Sequence, residues 1–144
     1  MQTQQFLSQL AHKRIVEAIY AAEASTSGEI RIYIQRGNLK GDPLTAAQKK
    51  FHRLGMHRTA DRNAVLIYVA PRAHKFAVVG DKAIHEKCGN ELWQQLIERM
   101  QKHFRNEKFS DALVETIQET GKALAAHFPK RSTSTELPDD VIER

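Results

Sequence analysis

Two apolar runs, Ala64–Ala70 and Phe76–Val79, stand five residues apart around Pro71. Runs of this length, rich in aliphatic and β-branched residues and bounded by turn formers, read as buried strands. A parallel pair needs a crossover of about a dozen residues or more, so the short connection dictates an antiparallel hairpin. The hairpin has a chemical consequence. It brings Asp61, Arg62 and Asn63, which lead into the first of these strands, beside Gly80 and Asp81, which close the second. Two carboxylates distant in sequence thereby share one edge of a sheet.

The remaining pattern supplies the other layers. Leu7, Leu10, Ala11, Ile15, Ala18, Ile19 and Ala22 recur at helical spacing, and Ser25-Thr26-Ser27-Gly28 ends that helix. Ile30, Ile32 and Ile34 alternate with Glu29, Arg31 and Tyr33, the pattern of a strand with one buried face. Asp42 is placed to cap a following helix and Pro43 to occupy its first position, with Leu44, Ala47, Phe51 and Leu54 as the inner stripe. About 29 residues, that helix among them, separate Ile34 from Ala64. This is a βαβ unit with a parallel strand pair and a right-handed crossover. After Asp81 the spacing predicts a short helix stopped by Gly89, then a helix capped by Asn90 that carries Leu92, Trp93, Leu96, Ile97 and Met100. Ser110 is expected to cap the last helix, with Leu113, Ile117, Leu124 and Phe128 inside and Pro129 at its end.

Continuous apolar strands want cover on both faces. The expected fold is therefore α/β: a three-layer α/β/α sandwich around a small mixed sheet, Rossmann-like, made of the βαβ unit plus an antiparallel hairpin strand. At 144 residues the chain is one domain, large enough to bury about 68–70% of its unfolded surface. We set that domain at 1–129, followed by a tail at 130–144 without periodicity, whose Leu137, Val141 and Ile142 could still dock onto the body.

Several function classes are disfavoured. No run approaches the ~20 apolar residues of a membrane span. The start, MQTQQFLSQLAHKR, lacks the pattern of a signal peptide, and the single Cys88 excludes an internal disulfide, so a cytoplasmic setting is expected. The net charge of +5 is spread over Lys49-Lys50, Arg58, Arg62, Lys82, Lys87 and Lys130-Arg131, interleaved with acids. A solvated surface is the simpler reading, and nucleic acid is not the expected partner.

The sheet edge is the place for chemistry. Three loops converge there with oxygen donors Asp61, Asn63 and Asp81, and with Glu29 and Ser27 near. Hard divalent cations prefer such donors, and paired carboxylates want a counter-charge. Structural roles compete with this reading: Asp81 could cap the next helix for about 1 kcal/mol, and Asp61 could be a turn residue balanced by Arg62. Arg62, Lys82 and the helix N-terminus could instead hold a phosphate, but only with a metal to offset the carboxylates. Other constellations are weaker. His85-Glu86-Lys87-Cys88 lacks the second histidine of a zinc-protease helix, and a soft-metal site on His85 and Cys88 is less simple than a packed helix with a buried thiol. His52 and His57 would lie about 140° apart on one helix and are not expected to chelate together.

RNAVLIYVA followed by HKFAVVGDKAIHEKCG resembles the core of the TPM domain family, whose founding members include a thylakoid-lumen protein regarded as an acid phosphatase. The resemblance extends to SGEIRIYI, DPLTAAQKKFHRLGMHRT, HFP and ELPDDVIE, and so covers the chain from about Ile15 onward. It implies a divalent ion, calcium ahead of magnesium, held at Asp61, Asn63 and Asp81; Glu29 is added from its position alone. It also implies a phosphatase activity. The expected function is a non-catalytic or weakly catalytic accessory domain that binds a divalent cation at the sheet edge and interacts with a protein partner. The alternatives are a metal-dependent acid phosphatase-like hydrolase and a basic adaptor for nucleic acid or anionic lipid.

Overall fold

A computed structural model describes residues 9–105 and 108–130. The elements run α1 (Gln9–Glu23), β1 (Ile30–Ile34), α2 (Pro43–Arg53), a 3-10 turn (Met56–Arg58), β2 (Val65–Ala70), a second 3-10 turn (Pro71–Ala73), β3 (Lys75–Gly80), α3 (Lys82–Arg105) and α4 (Phe109–His127). The sheet order is β1-β2-β3, with β1 parallel to β2 and β2 antiparallel to β3. The hairpin register pairs Val65 with Gly80 and Ala70 with Lys75, as the short connection around Pro71 demands.

All six residues of β2 are buried, and the two faces of the sheet explain why. On one face Val65, Ile67, Val69 and Val78 pack with Ile15 of α1, Ile84, Trp93, Leu96 and Met100 of α3, and Leu113, Ile117 and Leu124 of α4. On the other, Ala64, Leu66, Tyr68, Ala70 and Ala77 meet Ala47 and Phe51 of α2 and Met56 of the first 3-10 turn. The α/β/α sandwich is thus present, with α2 alone on one side. Strand β1 lies at one margin of the sheet, so Ile32 and Ile34 are only half-buried, and the clean one-sided burial expected for it holds fully at Ile30 alone.

Local chemistry sets the helix ends. Asp42 accepts the Thr45 N–H at 2.9 Å and Pro43 follows it, the expected cap. Gly89, at φ 70° and ψ −175°, breaks the helical path inside α3, a backbone conformation that glycine adopts without steric cost. Ser110 does not cap α4. Lys108 occupies the cap position without a side-chain bond, and Ser110 lies within the helix, because the helix begins two residues earlier than a serine cap at 110 requires. An antiparallel bridge from Thr26 to Pro129, with Ser27 N donating to Phe128 O and Lys130 N to Ser25 O, ties the end of α4 to the turn before β1. The expected tail lies, beyond Lys130, outside the described residues. No helix among the described residues is long and apolar enough to cross a membrane.

Candidate functional site

The parallel pairing of β1 with β2 and the return of β3 place three loops at one end of the sheet: Ser27–Glu29, Asp61–Asn63 and Gly80–Lys82. The side chains there form two linked groups. In the first, Asn63 Nδ2 donates to Ser27 Oγ at 3.1 Å and Ser27 Oγ donates to Asp61 Oδ2 at 3.2 Å. In the second, Arg62 grips Asp81 with both arms of its fork, Nε to Oδ2 at 2.7 Å and Nη2 to Oδ1 at 2.8 Å. Lys82 N also donates to Asp81 Oδ1 at 2.7 Å. Glu29 stands at the margin and accepts from Arg31 Nε at 2.8 Å.

The backbone holds the second group in place. Arg62 sits in the left-handed region at φ 51°, uncommon for a residue with a β-carbon. Its carbonyl accepts the Ala83 N–H at 3.0 Å, and Asp81 N donates to Ala64 O at 2.9 Å. The first turn of α3 is therefore laced to the loop that precedes β2. The Asp81 side chain is 5% exposed whereas that of Arg62 is 45% exposed. A buried carboxylate is neutralised by a cation whose stem reaches out to water.

Burial alone would push the Asp81 carboxyl up. The Arg62 hydrogen bonds, the Lys82 N–H and the nearby charges of Arg62 and His57 outweigh it and hold the group below the ordinary carboxylate range. Glu119, hydrogen-bonded by Arg99 and Lys122, is lowered as well. The unfolded chain then binds more protons than the folded one between these lowered values and the ordinary value near 4. The stability these two groups contribute is fully present above that ordinary value and is lost as pH falls through the folded values. Denaturant midpoints measured from pH 7 down to pH 3 should therefore drop more for the wild type than for Asp81→Asn; equal drops would exclude Asp81 from the linkage.

The geometry brings Asp61 and Asn63 together through Ser27, holds Asp81 under Arg62 as a separate group at the same end of the sheet, and pairs Glu29 with Arg31. Arg62 does not balance Asp61, as one structural reading of the sequence had it; its fork fits Asp81 because the hairpin register returns Gly80-Asp81 to the same edge. No group of three or more His, Cys, Asp and Glu side chains able to hold a metal occurs among the described residues. The oxygen donors suit a hard cation in type, and the Arg62 guanidinium takes the role of counter-cation for Asp81.

Ser27, which the sequence places near this edge, is the hydrogen-bond hub between Asp61 and Asn63. Two neighbours escaped sequence reasoning. His57, whose charge acts on Asp81, has a buried Nδ1, and Thr59 a buried Oγ1, without a hydrogen-bond partner. His57 also contacts His52, with ring centroids 4.7 Å apart. The two were expected to diverge around one helix, but α2 ends at Arg53 and Gly55, at φ 72°, folds the chain back. The Gly55 turn could have signalled this; nothing in the sequence marks Thr59. Cys88 is half-buried rather than buried, and its burial pushes the thiol up, away from the thiolate a nucleophile requires.

The TPM domain family model matches residues 1–123. The chain belongs to the TPM domain family. Among solved structures, the NMR structure of the BA42 protein from the psychrophilic bacterium Bizionia argentinensis is 37% identical with a TM-score of 0.82, over 95% of this chain and 94% of that one. The N-terminal domain of the cg2496 protein from Corynebacterium glutamicum is similar at 15% identity and TM-score 0.67, covering 99% of this chain and 88% of its own. An N-terminal domain from P. gingivalis is similar at 14% identity and TM-score 0.62, covering 85% and 79%. These last two speak for the TPM fold alone. No curated protein matches the chain.

Proposed function

We propose that this TPM domain is an accessory module that binds a divalent cation, calcium ahead of magnesium, at the Asp61/Asp81 end of the sheet in exchange for the Arg62 guanidinium, and interacts with a protein partner. One observation carries the reading: Asp81 is buried and charged, while its counter-ion is exposed and tethered by a long flexible stem. Swinging the guanidinium aside returns it to water, where it is fully hydrated, while the incoming ion takes over the neutralisation of the buried carboxylate. Asp61 and Asp81 would then face the ion with Asn63 as a neutral oxygen donor and Glu29 at the rim. Bound there, the ion would supply charge neutralisation and fix the three loops against one another. A cytoplasmic setting belongs to the same reading, since the free thiol of Cys88 suits a reducing compartment.

Calcium and magnesium titrations of the full chain followed by NMR test this. Saturable shifts should appear at Asp61, Asn63 and Asp81. Arg62→Ala should tighten binding severalfold, because it removes the cation that competes for Asp81. Asp81→Asn should abolish the shifts. Should neither the wild type nor Arg62→Ala respond at millimolar metal, the cation reading is wrong.

A second reading, a metal-dependent acid phosphatase-like hydrolase, draws on the imidazole of His57 and the guanidinium of Arg62 beside the same carboxylate. Those groups could orient and protonate a phosphate ester. Turnover of a chromogenic phosphate ester that disappears with chelator and with Asp81→Asn would favour it; turnover that survives Asp81→Asn would mark a contaminant.

A further inference from the structure

The sheet has two outer strands, and the margin at β1 carries a pattern of its own. Glu29 O accepts from Val65 N at 2.8 Å, and Gln35 N donates to Val69 O at 2.7 Å. In this parallel ladder Glu29, Arg31, Tyr33 and Gln35 therefore turn their backbone groups toward β2, and Ile30, Ile32 and Ile34 turn theirs outward. The Ile30 N–H fixes the phase, because it donates to Glu23 Oε2 at 2.8 Å and not to a strand. The backbone groups of Ile32 and Ile34 have no strand partner on the outer side among the described residues. An edge of this kind is a template for an added strand.

A groove of about 420 Å³ lies between this strand and α1. Its helical wall holds Val16, Ile19 and the exposed Tyr20, with His12 a turn earlier. Strand alternation separates the two faces. Ile32 and Ile34 pack with the core that α1 shares, whereas Arg31 and Tyr33 lie on the α2 face. There Lys50 Nζ stands 4.3 Å from the centre of the Tyr33 ring. Arg31 is half-exposed and bonds Glu29 through Nε at 2.8 Å, so the rest of its N–H fork can meet a second carboxylate. The groove is lined by an arginine and a histidine and by no carboxylate.

We infer that the β1 margin takes an extended, acidic segment of a protein partner, added to the sheet as a further strand. Its apolar side chains face α1 and alternate with carboxylates on the Arg31 and Lys50 face. Backbone chemistry selects a strand over an alkyl ligand, which would cover the Ile32 and Ile34 N–H and C=O groups and leave them unpaired at a cost. Charge selects an acidic segment, since the face it meets is basic and the chain carries a net charge of +5. The larger groove at the other margin, about 930 Å³ beside β3, is lined by Glu98 and by no lysine or arginine, and so serves as an internal control. The inference rests on the partner half of the proposed function and is independent of its cation half.

Two capped synthetic peptides test it on the full chain by NMR, one alternating valine with glutamate and the other valine with lysine. The glutamate peptide should shift the Ile32 and Ile34 amides saturably and slow their hydrogen exchange. The lysine peptide should bind about tenfold more weakly or worse. Ile32→Pro deletes an outward N–H and spares the bonds to β2, which run through Arg31 and Tyr33, so it should abolish the shifts. Unchanged exchange protection at Ile67 verifies that the body stays folded. Arg31→Glu combined with Lys50→Glu leaves the backbone edge intact and should reverse the preference toward the lysine peptide. Equal binding of the two peptides, no shift at Ile32 and Ile34, or shifts confined to Val78 and Gly80 would overturn the inference. So would Ile32 and Ile34 amides protected before any peptide is added, in favour of a second copy where that protection grows with protein concentration. Calcium titration of Ile32→Pro, read at Asp61, Asn63 and Asp81, reports on the cation site separately.

Discussion

Trp93→Ala should lower the stability of this domain by about 3–5 kcal/mol, the range for truncating a buried large aromatic residue. The ring is 7% exposed and belongs to the larger core cluster. It lies over Gly80 so closely that a β-carbon there would fall 2.5 Å from its Cζ2 atom, and 3.1 Å from Cγ2 of Ile84. Glycine at position 80 and tryptophan at position 93 are therefore one packing unit: the absent side chain on the strand makes the space that the indole fills. Its Nε1 also donates to His85 Nδ1 at 3.1 Å, tying two turns of α3 across the break at Gly89. Removing the indole leaves a void along β3 that the rigid strand cannot collapse into. Trp93→Phe keeps most of the contact and forfeits the hydrogen bond, so it should cost far less. Urea denaturation of the three proteins measures this. A loss below about 1 kcal/mol for Trp93→Ala would mean that the ring lies on the surface of the fold rather than in its core.

Ile67→Ala is the second large effect, about 2–5 kcal/mol. Ile67 is wholly buried at the middle of β2, paired with Ile32 on one side and Val78 on the other, and it faces the core shared with α1, α3 and α4. Its cavity cannot be relieved by movement of an outer strand, since both neighbours are hydrogen-bonded to β2. The matched change Ile32→Ala deletes the same atoms from a half-buried position on β1. It should cost clearly less, because less apolar surface is returned to water. Equal losses in denaturation midpoint and in extrapolated stability would contradict the central and marginal placement of these strands.

Much of the fold could be read from local pattern. The hairpin around Pro71, the βαβ unit, the Asp42-Pro43 helix start and the break at Gly89 each follow from a rule that acts over a few residues. Where reading failed, the determinant was not local. Ser110 looks like a cap, yet α4 begins at Phe109 without a side-chain cap bond. His52 and His57 were assigned to one helix, but the left-handed Gly55 ends it and turns one ring onto the other. Candidate ligands Asp61, Asn63 and Asp81 were found because hairpin geometry puts strand ends together whatever the side chains do. Ser27 was placed near them by the same geometry, but its bonds to Asp61 and Asn63, made across more than thirty positions of chain, and the turn of Arg62 toward Asp81 were not legible.

Layer order, strand directions and the gathering of acidic residues at one end of the sheet follow from hydrophobic period and connection length, which are written into adjacent residues. The grip of Arg62 on Asp81 and the groove along the outer edge of β3 arise only once the whole chain is packed. Those outcomes depend on a backbone in the left-handed region at Arg62 and on the distance between helices packed on opposite faces. Both are set by the packing of the whole chain, and no short stretch of residues encodes them.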